Sequence, residues 1–407
     1  MKPLLTLLRR YRGVVHRELT TYFILEATLS SIFWVVQAPY LKCLGFTAFE
    51  YGILGSVFSA SVACSMLVAG WLVDRFKAKY LITISLIIRS ASYLLYLPGI
   101  KYLIYLAALI NGVVAPLTTV STDVLVSRLV ELRRLEYGYS LTYALFLIGN
   151  SIGSYMGWIP ELMSKYYFIN IMRSYKYAIA FSAITLPLTS ILLIKVREPY
   201  PHRLKDTKNL RGRDRLPRDL VVTIVKLCIA RALIGLGASI SIRNISYYFI
   251  LKYGVKSGEL GTVYGFESLL MATLMIYLPR VSERVGNPLR TYSLVAMFSI
   301  PLLISITLVN NYVIASALFI CRSVLMNAAS PLFTAFEMRI IPPQHRGKAS
   351  SIIRLADRSV AILGRGLGGY LMSVDLELPL RITALLYATS LTYLLLSFRS
   401  VDLKSSD

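Results

Sequence analysis

The chain has 407 residues, 56% of them hydrophobic and 16% charged, with a mean hydropathy of +0.61 and a formal net charge of +23. Apolar runs of about 20 residues, long enough to cross a bilayer, recur along the whole sequence and exclude a soluble globular domain. The positive balance suits nucleic acid in principle, but its confinement to alternate loops points to a membrane rim, with no nucleic-acid partner.

The apolar runs predict twelve helices, at about 19–41, 51–73, 80–99, 103–127, 138–160, 177–195, 223–250, 260–279, 290–309, 312–338, 349–373 and 380–398. Lipid-exposed backbone must satisfy its own hydrogen bonds, and these runs are too long for barrel strands, so the expected fold class is an all-α integral membrane protein. Between the sixth and seventh runs lies Glu198–Asp219, rich in Pro, Lys, Arg and Asp, which reads as a solvated linker. The expected domains are a six-helix bundle over 1–197, a linker over 198–222 and a second six-helix bundle over 223–407. Basic residues precede the first run, but no small-residue cleavage site follows it, so it reads as a retained helix. Four cysteines give no disulfide framework.

Lysine and arginine crowd one set of loops: Arg9, Arg10 and Arg12; Arg75, Lys77 and Lys79; Arg133 and Arg134; and the whole Lys195–Arg218 segment. The opposite connections hold few, among them Lys42, Lys101, Lys165, Lys252 and Lys256. By the positive-inside rule both termini are expected in the cytoplasm, with the chain in the cell membrane.

The two predicted bundles repeat one another. An offset of 209 residues lays Gly45, Glu50 and Gly52 on Gly254, Glu259 and Gly261, and Asp74-Arg75 on Glu283-Arg284. An offset of 215 pairs Gly149, Gly153 and Tyr155 with Gly364, Gly368 and Tyr370. Internal repeats of this kind build secondary transporters around a central site.

Four helices carry polar stripes at helical spacing. The first presents Glu26, Ser30, Trp34 and Gln37; the seventh Gly235, Ser239, Arg243 and Ser246. The fourth presents Asn111, Thr118 and Thr122; the tenth Ser323, Asn327, Ser330 and Thr334. Ordinary back-bonding or helix packing is the plain alternative for any single hydroxyl. Intramembrane charges weigh more, since each costs at least ~2.5–3.5 kcal/mol at mid-bilayer unless paired or hydrated. The eleventh run sets Arg354, Arg358 and Arg365 on one face with Asp357 beside them, and Arg89, Arg231, Arg243 and Arg322 add further cations. Such arginines either recognise an anionic group or pair structurally with acids. Glu26, Glu267 and Asp357 are the expected proton carriers, because an apolar setting favours a protonated carboxyl.

The sequence resembles the major facilitator superfamily over about residues 19–398. Gly70-Trp71-Leu72-Val73-Asp74-Arg75, with Lys79 downstream, is similar to its loop signature G-x-x-x-D-R-x-G-R-K, with Lys77 where the family has glycine. The second copy keeps Glu283-Arg284-Val285-Gly286, with Pro279 in place of the leading glycine. The resemblance implies a twelve-helix, pseudo-symmetric fold whose first, fourth, seventh and tenth helices line a central cavity. It further implies a gating role for Gly70, Asp74, Arg75, Glu283, Arg284 and Gly286, Asp74 meeting the eleventh helix near Ser350 and Asp123 partnering Arg75.

No nucleotide-binding loop is present, and His16, His202 and His345 sit in loops, so neither ATP hydrolysis nor a metal or cofactor is expected. The leading expectation is alternating-access transport of a small organic anion or amphipathic compound by a monomer, with a proton as co- or counter-ion. Drug/proton antiport is the main variant; a polytopic lipid-modifying enzyme and a non-transporting sensor are the alternatives of other classes.

Overall fold

The computed structural model describes residues 17–130, 135–198, 217–285, 287–342 and 345–399. Regular structure among these residues is helical. The long helices are α1 (Arg17–Cys43), α2 (Ala48–Arg75), α3 (Ala78–Leu94), α4 (Lys101–Leu129), α5 (Leu135–Tyr155) and α6 (Ile171–Thr185). Past the linker come α7 (Arg218–Ile240), α8 (Ser257–Val285), α9 (Pro288–Leu308), α10 (Tyr312–Ile340), α11 (Arg346–Val374) and α12 (Leu378–Ser397). Eight helical stretches among the described residues are long and apolar enough to cross a membrane. They involve α1, α2, α4, α6, α7, α9, α10 and α12, so this is a multi-pass membrane protein. Of the others, α3 has only 17 residues, and α11 carries Arg354, Asp357, Arg358 and Arg365 through its middle.

The residues that repeat in sequence do the same work in each copy. Gly45 and Gly254 both lie in the left-handed region, with φ of +77° and +67°, where a side chain would be strained. Beyond each turn a glutamate reaches back to the start of the next helix. Glu50 accepts from the Thr47 N–H at 2.8 Å while the Thr47 hydroxyl accepts from the Glu50 N–H at 3.2 Å, a capping box. Glu259 accepts from the Lys256 N–H at 2.9 Å. Elsewhere asparagines cap: Asn287 and Asn311 each accept from two N–H groups at the starts of α9 and α10.

Glycines then set the helix crossings. A Cβ at Gly149 or Gly153 would strike the Ile24 or Thr28 carbonyl oxygen, packing α5 on α1. Their repeat partners do likewise: at Gly364 it would strike Ser239 and at Gly368 the Ile240 carbonyl oxygen, packing α11 on α7. Close backbone approach of this kind holds helices together where no hydrophobic drive exists.

The chain divides into two compact units. One gathers the described residues up to Phe46, those from Val57 to the linker, and Val255–Leu269. The other gathers Thr47–Ser56, the described residues between the linker and Gly254, and those from Leu270 onward. Each unit thus takes in the first turns of the second helix of the other sequence repeat. Within the first unit, a Cβ at Gly261 of α8 would strike the Ser154 carbonyl oxygen of α5. Within the second, one at Gly52 of α2 would meet the Arg365 carbonyl oxygen and Gly369 of α11 at 2.6 and 2.8 Å.

Gly368→Ala is expected to destabilise the protein by about 1–3 kcal/mol, the scale of overpacking a tight core, read as a lower thermal midpoint of the purified chain. Gly70→Ala, where an added Cβ meets nothing within 4 Å, should leave the midpoint unchanged.

Candidate translocation site

In the first unit, Glu26 of α1 anchors a polar network inside the bundle. Its Oε1 accepts from Arg89 Nη1 of α3 at 2.9 Å and from the Ser30 hydroxyl at 2.9 Å. Arg89 also donates to Thr118 of α4 at 3.1 Å, and Thr118 donates onward to Ser85 at 2.8 Å. Both members of the ion pair are largely buried, with side-chain exposures of 12% and 11%. Tyr22 and Tyr93 are charge neighbours of Arg89, and Asn111 is buried beside Tyr93. Three of the predicted site residues, Glu26, Ser30 and Thr118, are therefore brought together by a guanidinium that serves as Glu26's counter-ion.

In the second unit, α7 stops at Ile240, turns through Ile242–Asn244 and restarts as a short helix, Ile245–Tyr253. The sequence pattern predicts one continuous helix here. The break falls in a serine-rich stretch, and Asn244 donates its amide to the Arg365 carbonyl at 3.1 Å, holding the turn against α11. Arg243 sits within the break, and its charge neighbours include Asp357, Arg358 and Arg365 of α11. The interruption is a single 3₁₀ turn, a tighter winding that within a longer helix often marks a hinge. Asp357 has room because Gly235 lacks a side chain: a Cβ there would collide with the carboxylate. Arg358 is exposed, Arg243 half-buried, and neither makes a hydrogen bond or ion pair among the described residues. One carboxylate thus stands among two unpaired guanidiniums.

Two further charge clusters tie helix ends. Glu198, whose side chain is wholly buried, accepts from the Ala78 and Lys79 N–H groups at the start of α3 at 2.8 and 3.0 Å. It is also paired with Arg128 at 2.7 Å. Beyond the fifth span, Glu161 accepts from the Gly258 N–H at 2.7 Å and the Ser257 hydroxyl at 3.2 Å, capping α8. Trp158 beside it lies against Gly258 and donates to Thr262 at 2.9 Å.

A sequence model of the Major Facilitator Superfamily matches residues 19–365. The chain belongs to that superfamily. Among solved structures it is similar to a bacterial homolog of the human lysosomal transporter Spinster, at 14% identity and TM-score 0.74 over 97% of this chain and 99% of that one. It is similar also to the nucleoside transporter NupG, at 12% identity and TM-score 0.72 over 94% and 98%. The human organic anion transporter MFSD10 (TETRAN) aligns at 14% identity and TM-score 0.61 over 93% and 99%. Family and structural neighbours are transporters, not enzymes. No curated protein matches the sequence.

The remaining predicted residues of this superfamily member are dispersed. Gln37 donates to the Tyr96 hydroxyl at 2.7 Å and is locked in packing, while Trp34 is exposed, edge-on to Phe58. Ser239 bonds back to the Gly235 carbonyl at 2.6 Å, the back-bonding arrangement. Ser323 accepts from Asn327, which is itself exposed. Arg365 packs its stem on Gly55 and donates to the Gly55 carbonyl at 3.3 Å, joining α11 to the first turns of α2. Glu267 is half-buried near Tyr143. Asp74 and Asp123 are exposed, and Arg75 lies 4.0 Å over the Trp71 ring. Gly70 faces open space, so it is no site of close helix approach. The side chains of Glu283 and Arg284, and Gly286, lie outside the described residues. Sequence reasoning missed Glu198 and Glu161, which occupy predicted loops, and missed Arg89 as Glu26's partner. The signal for that pairing was present, as opposite charges in the first and third apolar runs.

Glu26→Gln should cost about 3–5 kcal/mol by stranding Arg89, and Glu26→Gln with Arg89→Gln should recover part of the loss; thermal midpoints of the three proteins check this. Burial pushes the Glu161 carboxyl up, partly opposed by the Gly258 N–H and the Ser257 hydroxyl, with Glu259 raising and Lys256 lowering it further. A carboxyl raised in the packed state binds its proton more tightly there, so falling pH favours the packed end of α8. Hydrogen-exchange protection at 257–262, corrected for intrinsic rates, should rise on acidification and become flat with pH in Glu161→Gln.

Proposed function

We propose that this chain is a secondary active transporter that moves a small organic anion or amphipathic compound by alternating access. Arg243 and Arg358 recognise the anionic group, with Asp357 as a carboxylate neighbour of Arg243. The observation that carries the reading is this excess of unpaired guanidinium beside a break in α7. Guanidinium's planar fork suits carboxylate or phosphate, and broken helices at mid-membrane are where transporters bind their cargo. The fold similarity supports a transporter of some kind, and the human relative named above carries an organic anion.

The halves are 1–197 and 223–407, joined by the linker over 198–222, with both termini in the cytoplasm and the protein in the cell membrane. In that orientation Glu50, Glu259 and Glu161 lie at the outer end of their helices. Asp74, Arg75 and their copies Glu283, Arg284 and Gly286 gate the inner end. With Glu26 held by Arg89, Asp357 is the coupling carboxylate best placed to exchange a proton as the anion arrives.

Uptake of organic anions into proteoliposomes, with and without a pH gradient, tests the reading. Arg243→Gln and Arg358→Gln should each weaken apparent affinity by about tenfold or more, the worth of a hydrogen bond to a charged group. Unchanged affinity in both variants would make these arginines structural, and flux indifferent to the gradient would remove the proton.

A further inference from the structure

Arg322 lies in α10 and is only 1% exposed. Its guanidinium makes one hydrogen bond: Nη2 donates to the Tyr387 hydroxyl of α12 at 2.9 Å. Its Cζ stands 5.3 Å from the Tyr387 ring centroid. Nε is buried and has no hydrogen-bond partner. Its partner Tyr387 belongs to the apolar cluster of the second unit, together with Tyr292, Met326 and Ala329. A guanidinium sealed in such a setting needs an opposite charge or a full set of acceptors.

Among the described residues no carboxylate forms an ion pair with Arg322. Tyr292 is the common neighbour of Arg231, Glu337, Arg322 and Tyr387, which places these groups together. Glu337 is already committed: Oε1 accepts from Arg231 Nε at 2.7 Å and Oε2 from Arg231 Nη2 at 3.0 Å. The Arg231–Glu337 pair is neutral, so the group keeps one whole positive charge at Arg322. Tyr387 deepens the imbalance, because its hydroxyl accepts from Arg322 and so offers its own O–H as a donor. Arg322 Nε–H, which has no acceptor, and the Tyr387 O–H are thus two donors in one cluster.

We propose that Arg322 and Tyr387 bind a monovalent anionic group, either a free halide ion or the carboxylate of a transported solute. The carboxylate source rests on the transport reading above; the halide source does not, so the two can fail separately. Arg243 is a charge neighbour of Tyr387 as well, so an anion at Arg322 would also be felt at the break in α7.

The test is the thermal midpoint of the purified full chain in sodium chloride, bromide, acetate or sulfate at matched ionic strength and pH. At a hundredfold excess over Kd the midpoint should rise by about 3 °C above its value in sulfate. A rise in chloride and bromide alone identifies the halide source, and a rise in acetate alone the carboxylate source. Arg322→Met should abolish the rise and be at least as stable as the wild type in sulfate, having lost an uncompensated charge. Tyr387→Phe, which keeps the ring, should reduce the rise, while Arg354→Gln, at an exposed position, should preserve it. Equal midpoints in all four salts, or an undiminished rise in both Arg322→Met and Tyr387→Phe, would overturn the proposal.

Discussion

A charge placed among apolar helices must be given a partner, and where this protein supplies or withholds one organises the rest of the structure. The first unit settles its accounts locally. Glu26 meets Arg89, and Glu198 meets Arg128 while capping α3. The second unit settles only some: Arg231 takes Glu337, and Lys252 takes Glu377 at 2.6 Å. It leaves Arg322 buried with a tyrosine hydroxyl and Arg243 and Arg358 sharing the neighbourhood of one carboxylate. Breaking a buried pair is costly because the survivor is stranded. On the reading proposed above, guanidiniums left without an ion pair await a ligand's negative charge.

Glycine supplies the second constraint. The same positions in the two sequence repeats bring backbone against backbone, at Gly153 with α1 and Gly368 with α7, at Gly261 with α5 and Gly52 with α11. The first pair builds each bundle. The second pair exchanges the first turns of α8 and α2 between units, and Arg365 and Ser56 reinforce one of those crossings through hydrogen bonds to backbone. Contacts made of close-packed backbone are either formed or absent, with little between.

Much of this was legible in the sequence. The apolar runs marked the helices, and Gly45, Glu50 and Gly52 with their copies marked a turn, a cap and a crossing twice over. The site was legible in its residues but not in its pairings. Periodicity places Glu26 and Ser30 on one face, yet it cannot say that Arg89 from another helix will reach them. Ser239 and Gln37 fit the polar stripes but spend their hydrogen bonds on a carbonyl and a tyrosine. The break at Arg243 was hidden because a single 3₁₀ turn leaves hydropathy unchanged. Glu161 and Glu198 were passed over because loop carboxylates look solvated until a helix start is packed onto them.

The central claim is that unpaired guanidiniums select the cargo by its negative charge. A thermal-shift screen of the purified protein against matched sets of anionic, neutral and cationic small organic compounds tests it most directly. Stabilisation confined largely to the anions is the predicted result. Cations that stabilise as well as, or better than, anions of the same size and hydrophobicity would contradict it.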